Sequence, residues 1–203
     1  MKMPTKIPVY CVYRNFDHAP LALGMIVAFA KRYKDGKLSD FYEFVPGFIS
    51  STEQLRQRLW QHGAGIVLCS DYVWSSEQNL LLTKIAKAFF PTSITVHGGP
   101  SVPKYDYSCD DFLKRHPYVD VAVHGAGEVA TAELLDLVAR HGLAGFQTDR
   151  SYLSEVSGLA YRDHRDSGIV RTLERPALKD LDALPSPYLT GGLHPVPKTP
   201  SLV

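Results

Sequence analysis

Along the chain, short uniformly apolar runs alternate with longer stretches in which apolar residues recur every three or four positions. Ile66-Val67-Leu68-Cys69 is the clearest run. Nothing polar interrupts it, so it predicts a strand covered on both faces. It leads into Ser70-Asp71-Tyr72-Val73-Trp74, and Ser75-Ser76-Glu77-Gln78 then carries the Ser-to-Gln spacing of a capping box. The helix predicted from Asn79 to Phe90 bears Leu80, Leu81, Leu82, Ile85, Ala86 and Phe89, and Pro91 stops it. A second buried strand, Ile94 to Val96, runs straight into Gly98-Gly99-Pro100. Both strands therefore carry their unusual residues at the carboxyl end, where open parallel sheets bind ligands.

The same alternation extends in both directions. Val9 to Tyr13 predicts the first strand, a polar loop follows, and Pro20 suits the first turn of a helix over Leu21 to Tyr33. Asp35-Gly36 closes that helix. Phe41 to Val45 is a weaker strand of edge character, and Ser51-Thr52-Glu53-Gln54 opens a helix with Leu55 and Leu59 on one face. A short helix over Asp110 to His116 precedes a fifth strand, Val119 to Val123. That strand ends in His124-Gly125-Ala126-Gly127-Glu128, before a helix from Val129 to Arg140. Parallel neighbours need a crossover of a dozen or more residues, so five strands with intervening helices predict an α/β, doubly wound, five-stranded parallel sheet.

Beyond His141 the pattern changes. Val156 to Arg162 and Ile169 to Leu173 read as a β-hairpin. Three of the fourteen prolines fall in the last dozen residues, which show no periodicity and read as a linker. The expected organisation is a Rossmann-like domain over 1–145 and a hairpin with linker over 146–203.

Composition narrows the classes. With 45% apolar residues in 203, the chain builds a real core. A net charge of +1 without basic clusters argues against a nucleic-acid surface. No apolar run reaches the roughly 18 residues of a membrane span. The start, Met-Lys-Met-Pro-Thr-Lys, leads directly into a strand and has no signal-peptide pattern. Cys11, Cys69 and Cys109 are odd in number and widely spaced, as in a reduced, cytoplasmic protein.

Few chemical motifs stand out. The sequence has no metal spacing of Cys or His, no Walker loop and no Gly-x-Ser-x-Gly elbow. Gly125-Ala126-Gly127 before a helix suits a phosphate, but the third glycine of the dinucleotide fingerprint is missing and the segment follows the fifth strand. Gly98-Gly99 either lets a bulky group approach the backbone or makes a tight turn. His18, His97 and His124 all fall at strand carboxyl ends, where solitary histidines are more often hydrogen-bonded neighbours than ligands.

Together, Ser70-x-Tyr72-x-Trp74, a helix, Gly98-Gly99, and then Asp120-Val-Ala-Val-His-Gly-Ala-Gly-Glu128 resemble the N-terminal cobalamin (B12)-binding domain of B12-dependent radical S-adenosylmethionine (SAM) enzymes. Gly158-Leu-Ala-Tyr-Arg162 and Leu181-Asp-Ala-Leu-Pro-Ser-Pro-Tyr188 resemble the segment joining that domain to the radical domain. The resemblance covers roughly residues 7 to 190 and implies a flavodoxin-like fold. It implies that Ser70 and Tyr72 flank the channel for the cofactor's nucleotide tail and that Gly98 and Gly99 make room for it. Gly125, Gly127 and Glu128 would close the far side. The corrin ring would lie over the strand ends, touching the loop from Asn15 to Leu21 and Val73-Trp74.

Two departures from the family pattern matter. Many such domains carry Asp-x-His-x-x-Gly, whose His binds cobalt. Aligned on Gly24, the Asp and His positions here are Ala19 and Leu21, with Asp17-His18 out of register. Trp74 or water would then take the lower face of cobalt, although Trp74 also reads as a large residue packing over a loop. The second departure is the absence of Cys-x-x-x-Cys-x-x-Cys, the motif that holds a [4Fe-4S] cluster. SAM and the cluster are accordingly expected only in a radical domain in cis that these residues do not contain. The expected function is the cofactor domain of a B12-dependent radical SAM enzyme, carrying methyl from SAM through cobalamin to substrate. The linker-like ending favours a piece of a longer enzyme. A free-standing cobalamin carrier or sensor, or a flavodoxin-like nucleotide-binding domain, are the alternatives.

Overall fold

The computed structural model describes residues 6–13, 20–163, 168–190 and 193. Its sheet is built from β1 (Ile7–Val12), β2 (Tyr42–Phe44), β3 (Ile66–Ser70), β4 (Ile94–Gly98), β5 (Val121–Val123), β6 (Leu159–Arg162) and β7 (Ile169–Arg171). The helices are α1 (Leu21–Arg32), a single turn α2 (Leu38–Phe41), α3 (Thr52–His62), α4 (Ser76–Phe89), α5 (Asp106–Arg115) and α6 (Gly127–Thr148). The strand order is β2-β1-β3-β4-β5-β6-β7. The first five are parallel, in the order of a flavodoxin-like doubly wound fold. The predicted edge strand is indeed at an edge. The predicted hairpin forms and continues the sheet, with β6 antiparallel to β5 and β7 antiparallel to β6.

The period-two rule of strands divides the core. Val9 and Cys11 of β1 enter one apolar layer with Leu23 and Val27 of α1 and Leu134, Leu135 and Val138 of α6. Tyr10 and Val12 face the opposite way, against Leu55 and Leu59 of α3 and Leu82 and Ala86 of α4. A third layer, with Cys109 and Leu113 of α5 against Ala122 and Ala160, covers the β5–β6 junction.

Element boundaries moved for local reasons. At α3, Ser51 Oγ accepts from Gln54 N at 3.2 Å, an ordinary N-cap. The capping box predicted at Ser75 does not form. Ser75 is the N-cap residue of α4, but its hydroxyl accepts from Tyr72 N at 3.1 Å and reaches Ser70 O at 3.3 Å. It stitches the preceding turn instead. The last helix runs past His141 to Thr148, bending at Gly142, whose φ of 72° is left-handed. Among the described residues, no helix is long and apolar enough to cross a membrane.

Opposite the strands' carboxyl ends, one buried carboxylate ties the layers together. Asp120, 3% exposed, accepts from Thr95 N at 3.0 Å and from Arg150 Nη2 at 2.8 Å, and pairs with Lys87 Nζ at 2.7 Å. Arg150 is 2% exposed and its guanidinium sits 4.3 Å above the Phe146 ring. Without Arg150 the carboxylate keeps Lys87 and Thr95 but loses a charge-assisted hydrogen bond, which costs about 1.5–3 kcal/mol. Arg150→Met should therefore lower the urea-unfolding free energy by about that amount. A loss under about 1 kcal/mol, the scale of an exposed pair, would mean the bridge is not structural.

Candidate functional site

The pairing of the central strands aligns their last residues. Ser70 lies beside Gly98, and Gly98 beside Val123. Above these ends is a cavity of about 580 Å³. Ser70, Gly98, Leu68, Val96 and Val123 form its floor, Ala22, Leu23 and Ile26 of α1 one wall, and the Gly125–Glu128 turn with Thr131 of α6 the other. Residues 174–178, with Leu181 and Leu184, close the outside. Ser70 is 6% exposed, and its hydroxyl bonds to no other described residue. The lining is otherwise mainly apolar, with the buried Thr131 and with Glu128, Glu174 and Arg175 as its polar and charged groups.

The glycines do different jobs. Gly99 has φ 106°, and a Cβ there would stand 2.7 Å from Asp71 O and 3.0 Å from Asp71 N. Any side chain would force apart the exits of β3 and β4, so Gly99 is demanded by the fold. A Cβ on Gly98 would meet Val123 O at 3.5 Å, an ordinary contact. Gly98 is thus the position where the missing side chain widens the cavity without being required for closure. Of the two glycines that the resemblance assigns to the tail, Gly99 is required by the fold itself. Gly125, with φ 78°, makes the turn into α6.

Beneath this floor lies a fully buried charge pair. His97 Nδ1 is 2.6 Å from Asp71 Oδ2, both side chains being 0% exposed. His97 Nε2 is 2.8 Å from Thr83 Oγ1, and that hydroxyl donates to Asn79 O at 2.8 Å. With the hydroxyl hydrogen so used, Nε2 must donate, and Nδ1 donates to the carboxylate, so both ring nitrogens carry protons. Burial opposes the charge, but Cys69 and Asp71 outweigh it and push the His97 pKa up to about 10. Asp71 also accepts from Asn79 Nδ2 at 2.6 Å. His97 is therefore not free to hold a ligand. His124 donates from Nε2 to Pro103 O at 3.0 Å, and burial lowers its pKa.

The structure gathers Ser70, Tyr72, Gly98, Gly99, Gly125, Gly127 and Glu128 around one cavity. Leu21, Val73 and Trp74 do not line it. They are 47%, 88% and 64% exposed, and the Trp74 indole stacks on Tyr72 with centroids 4.9 Å apart. Asn15 and His18 lie outside the described residues. Sequence reasoning missed the α1 wall and the closing segment. The one local signal for the latter was the three-residue spacing of Leu178, Leu181 and Leu184 in a polar stretch. Among the described residues, no cluster of three His, Cys, Asp or Glu is placed to hold a metal ion.

A flavodoxin-like sheet with a cavity over the carboxyl ends of β3, β4 and β5 is a Rossmann-like ligand-binding architecture. No protein-family model matches the chain. It is 30% identical over 187 residues to the cobalamin-dependent radical SAM methyltransferase TokK of Streptomyces tokunonensis, covering 90% of this chain and 25% of that protein. It is 33% identical over 178 residues to the 2-(S-pantetheinyl)-carbapenam-3-carboxylate methyltransferase of Streptantibioticus cattleyicolor, covering 85% of this chain and 23% of that one. The apo structure of the cobalamin-dependent S-adenosylmethionine radical enzyme OxsB superposes with a TM-score of 0.60 at 17% identity, over 95% of this chain and 25% of OxsB. The chain is thus a homologue of one segment of the cobalamin-dependent radical SAM enzymes, and spans about a quarter of the length of these relatives.

The Asp71–His97 pair makes stability depend on pH. His97 is charged in the fold, whereas an unfolded histidine loses its proton near pH 6.5. Its contribution is complete below about pH 6.5 and is lost as pH rises through about 10. The difference in unfolding free energy between parent and His97→Gln should shrink across that window. Parallel profiles would show that His97 is neutral in the fold.

Proposed function

We propose that this chain is a cobalamin-binding domain in which the cofactor's nucleotide tail enters the cavity between α1 and α6. The observation that carries this reading is the convergence of Ser70, Tyr72, Gly98 and the Gly125–Glu128 turn on one largely apolar cavity of about 580 Å³. The donor set suits the tail. A flat apolar base needs width and aliphatic walls, which Gly98, Leu68, Val96 and Val123 provide. The sugar and phosphate need hydrogen bonds, for which the Ser70 hydroxyl and the Thr131 side chain stand along the lining. Bound cobalamin would supply a cobalt centre that carries methyl groups. The protein's own part is to orient the cofactor and to exclude water from its tail.

The larger reading is a radical SAM methyltransferase whose radical domain, in cis, holds SAM and a [4Fe-4S] cluster. Identities of 30% and 33% to two methyltransferases support it. Trp74, largely exposed and stacked on Tyr72, would cover the corrin ring where it lies over the strand ends. His97 and His124 are both engaged by the protein and would not reach the metal.

Hydroxocobalamin titrated into the chain should give a saturable change in its visible spectrum. Gly98→Leu should weaken that affinity at least tenfold, about 1.4 kcal/mol, with the far-ultraviolet circular dichroism unchanged. Equal affinity in the variant would place the tail elsewhere, and no spectral change in the parent would exclude cobalamin. Once reduced to cobalt(II), the bound cofactor should show no nitrogen splitting of its electron paramagnetic resonance lines. A triplet pattern lost in His124→Ala would contradict the assignment of that side chain.

A further inference from the structure

The wall closing the outside of the cavity comes from a segment with no regular structure of its own. After β7 the chain crosses the strands' carboxyl ends, and Leu178, Leu181 and Leu184 contribute apolar surface to the cavity. Leu181 remains 70% exposed, so its other face is in water. An unstructured crossing holds its course only where it is fastened, and besides the exposed Lys104–Glu174 pair two fastenings are visible.

The first is Arg175. Its guanidinium pairs with Glu133 of α6, and its Nε donates to Ser157 O at 3.3 Å. The Arg175 side chain is 15% exposed and Glu133 30% exposed, so the bridge is partly shielded from solvent. The second is Leu193, 7% exposed, whose N donates to Pro187 O at 3.1 Å. Its side chain occupies the space above Gly24 in α1, where a Cβ would stand 2.7 Å from Leu193 Cγ. One fastening lies on α6 and the other on α1, the two helices that wall the cavity.

We infer that residues 174–184 are a latched strap belonging to the cofactor site, which holds the nucleotide tail in place and selects corrinoids that carry one. This rests on the reading of the cavity as the tail site. Leu178 and Leu184 are already partly buried, and an occupant of the cavity would cover more of all three leucines, a gain that a corrinoid without a base does not make. The tail must pass the strap to enter or leave, so the latch sets the exchange rate. Losing one charge-assisted hydrogen bond should speed exchange about tenfold.

The test compares release of hydroxocobalamin and of dicyanocobinamide, which lacks the nucleotide tail, from the parent, Arg175→Ala and Gly24→Ala. Gly24→Ala strengthens the helix by its intrinsic propensity while pushing against Leu193, so a fast-releasing variant cannot be put down to poor folding. Both variants should release hydroxocobalamin about tenfold faster, and dicyanocobinamide at the parent's rate. The parent should bind hydroxocobalamin more tightly than dicyanocobinamide, and the variants should narrow that preference. Tight binding by the parent with unchanged release in both variants would overturn the strap alone. Equal acceleration of both corrinoids would overturn its role in recognising the tail. Failure of the parent to bind hydroxocobalamin would overturn the strap and the cavity assignment together.

Discussion

Two opposite charges sealed beneath the strand ends hold the rest of this arrangement in register. Neither Asp71 nor His97 has access to water, so each must find its partner within the protein or bear the desolvation cost alone. The carboxylate joins β4 through His97 and α4 through Asn79, while the imidazole reaches α4 through Thr83. That fixes three elements at one point. The backbones of β3 and β4 then leave the sheet so close together that only a glycine fits at position 99. Ser70 and Gly98, immediately above, inherit their positions from this junction. A cavity floor set by packed secondary structure and buried hydrogen bonds is the kind that can recognise a ligand without reorganising.

The cavity itself follows from topology. In the order β2-β1-β3-β4-β5, α1 and α6 lie on the same face of the sheet, and a gap between them opens over the ends of β3, β4 and β5. The helices α1 and α6 flank the gap, and small residues at their amino ends, Ala22 and Gly127, keep it open. The hairpin β6–β7 matters because it delivers the chain to the far edge of the sheet. From there the following segment returns across the cavity's mouth.

Much of this was legible in the sequence, for local reasons. Ile66 to Cys69 is an unbroken apolar run and Ile94-Thr95-Val96 a β-branched one, and both became buried central strands. The glycines after β4 and β5 marked the strand ends correctly. The role of Gly99 was not legible, because the obstacle is the backbone of Asp71, brought there by tertiary structure. Ser75 has the spacing of a capping residue, yet its hydroxyl is used by the turn before the helix. The links Asp120–Arg150 and Arg175–Glu133 join residues tens of positions apart, where neither periodicity nor motif reaches. Residues 174–184 look like a linker because their apolar positions have no partner until the sheet supplies one.

The central claim is that the cavity between α1 and α6 receives the nucleotide tail of cobalamin. A crystal structure of the chain grown with hydroxocobalamin tests it most directly. The account predicts electron density for the base bounded by Ser70 and Gly98 below and by Leu178 and Leu181 outside. A bound cofactor with its base elsewhere, and the cavity still closed by its own side chains, would contradict it.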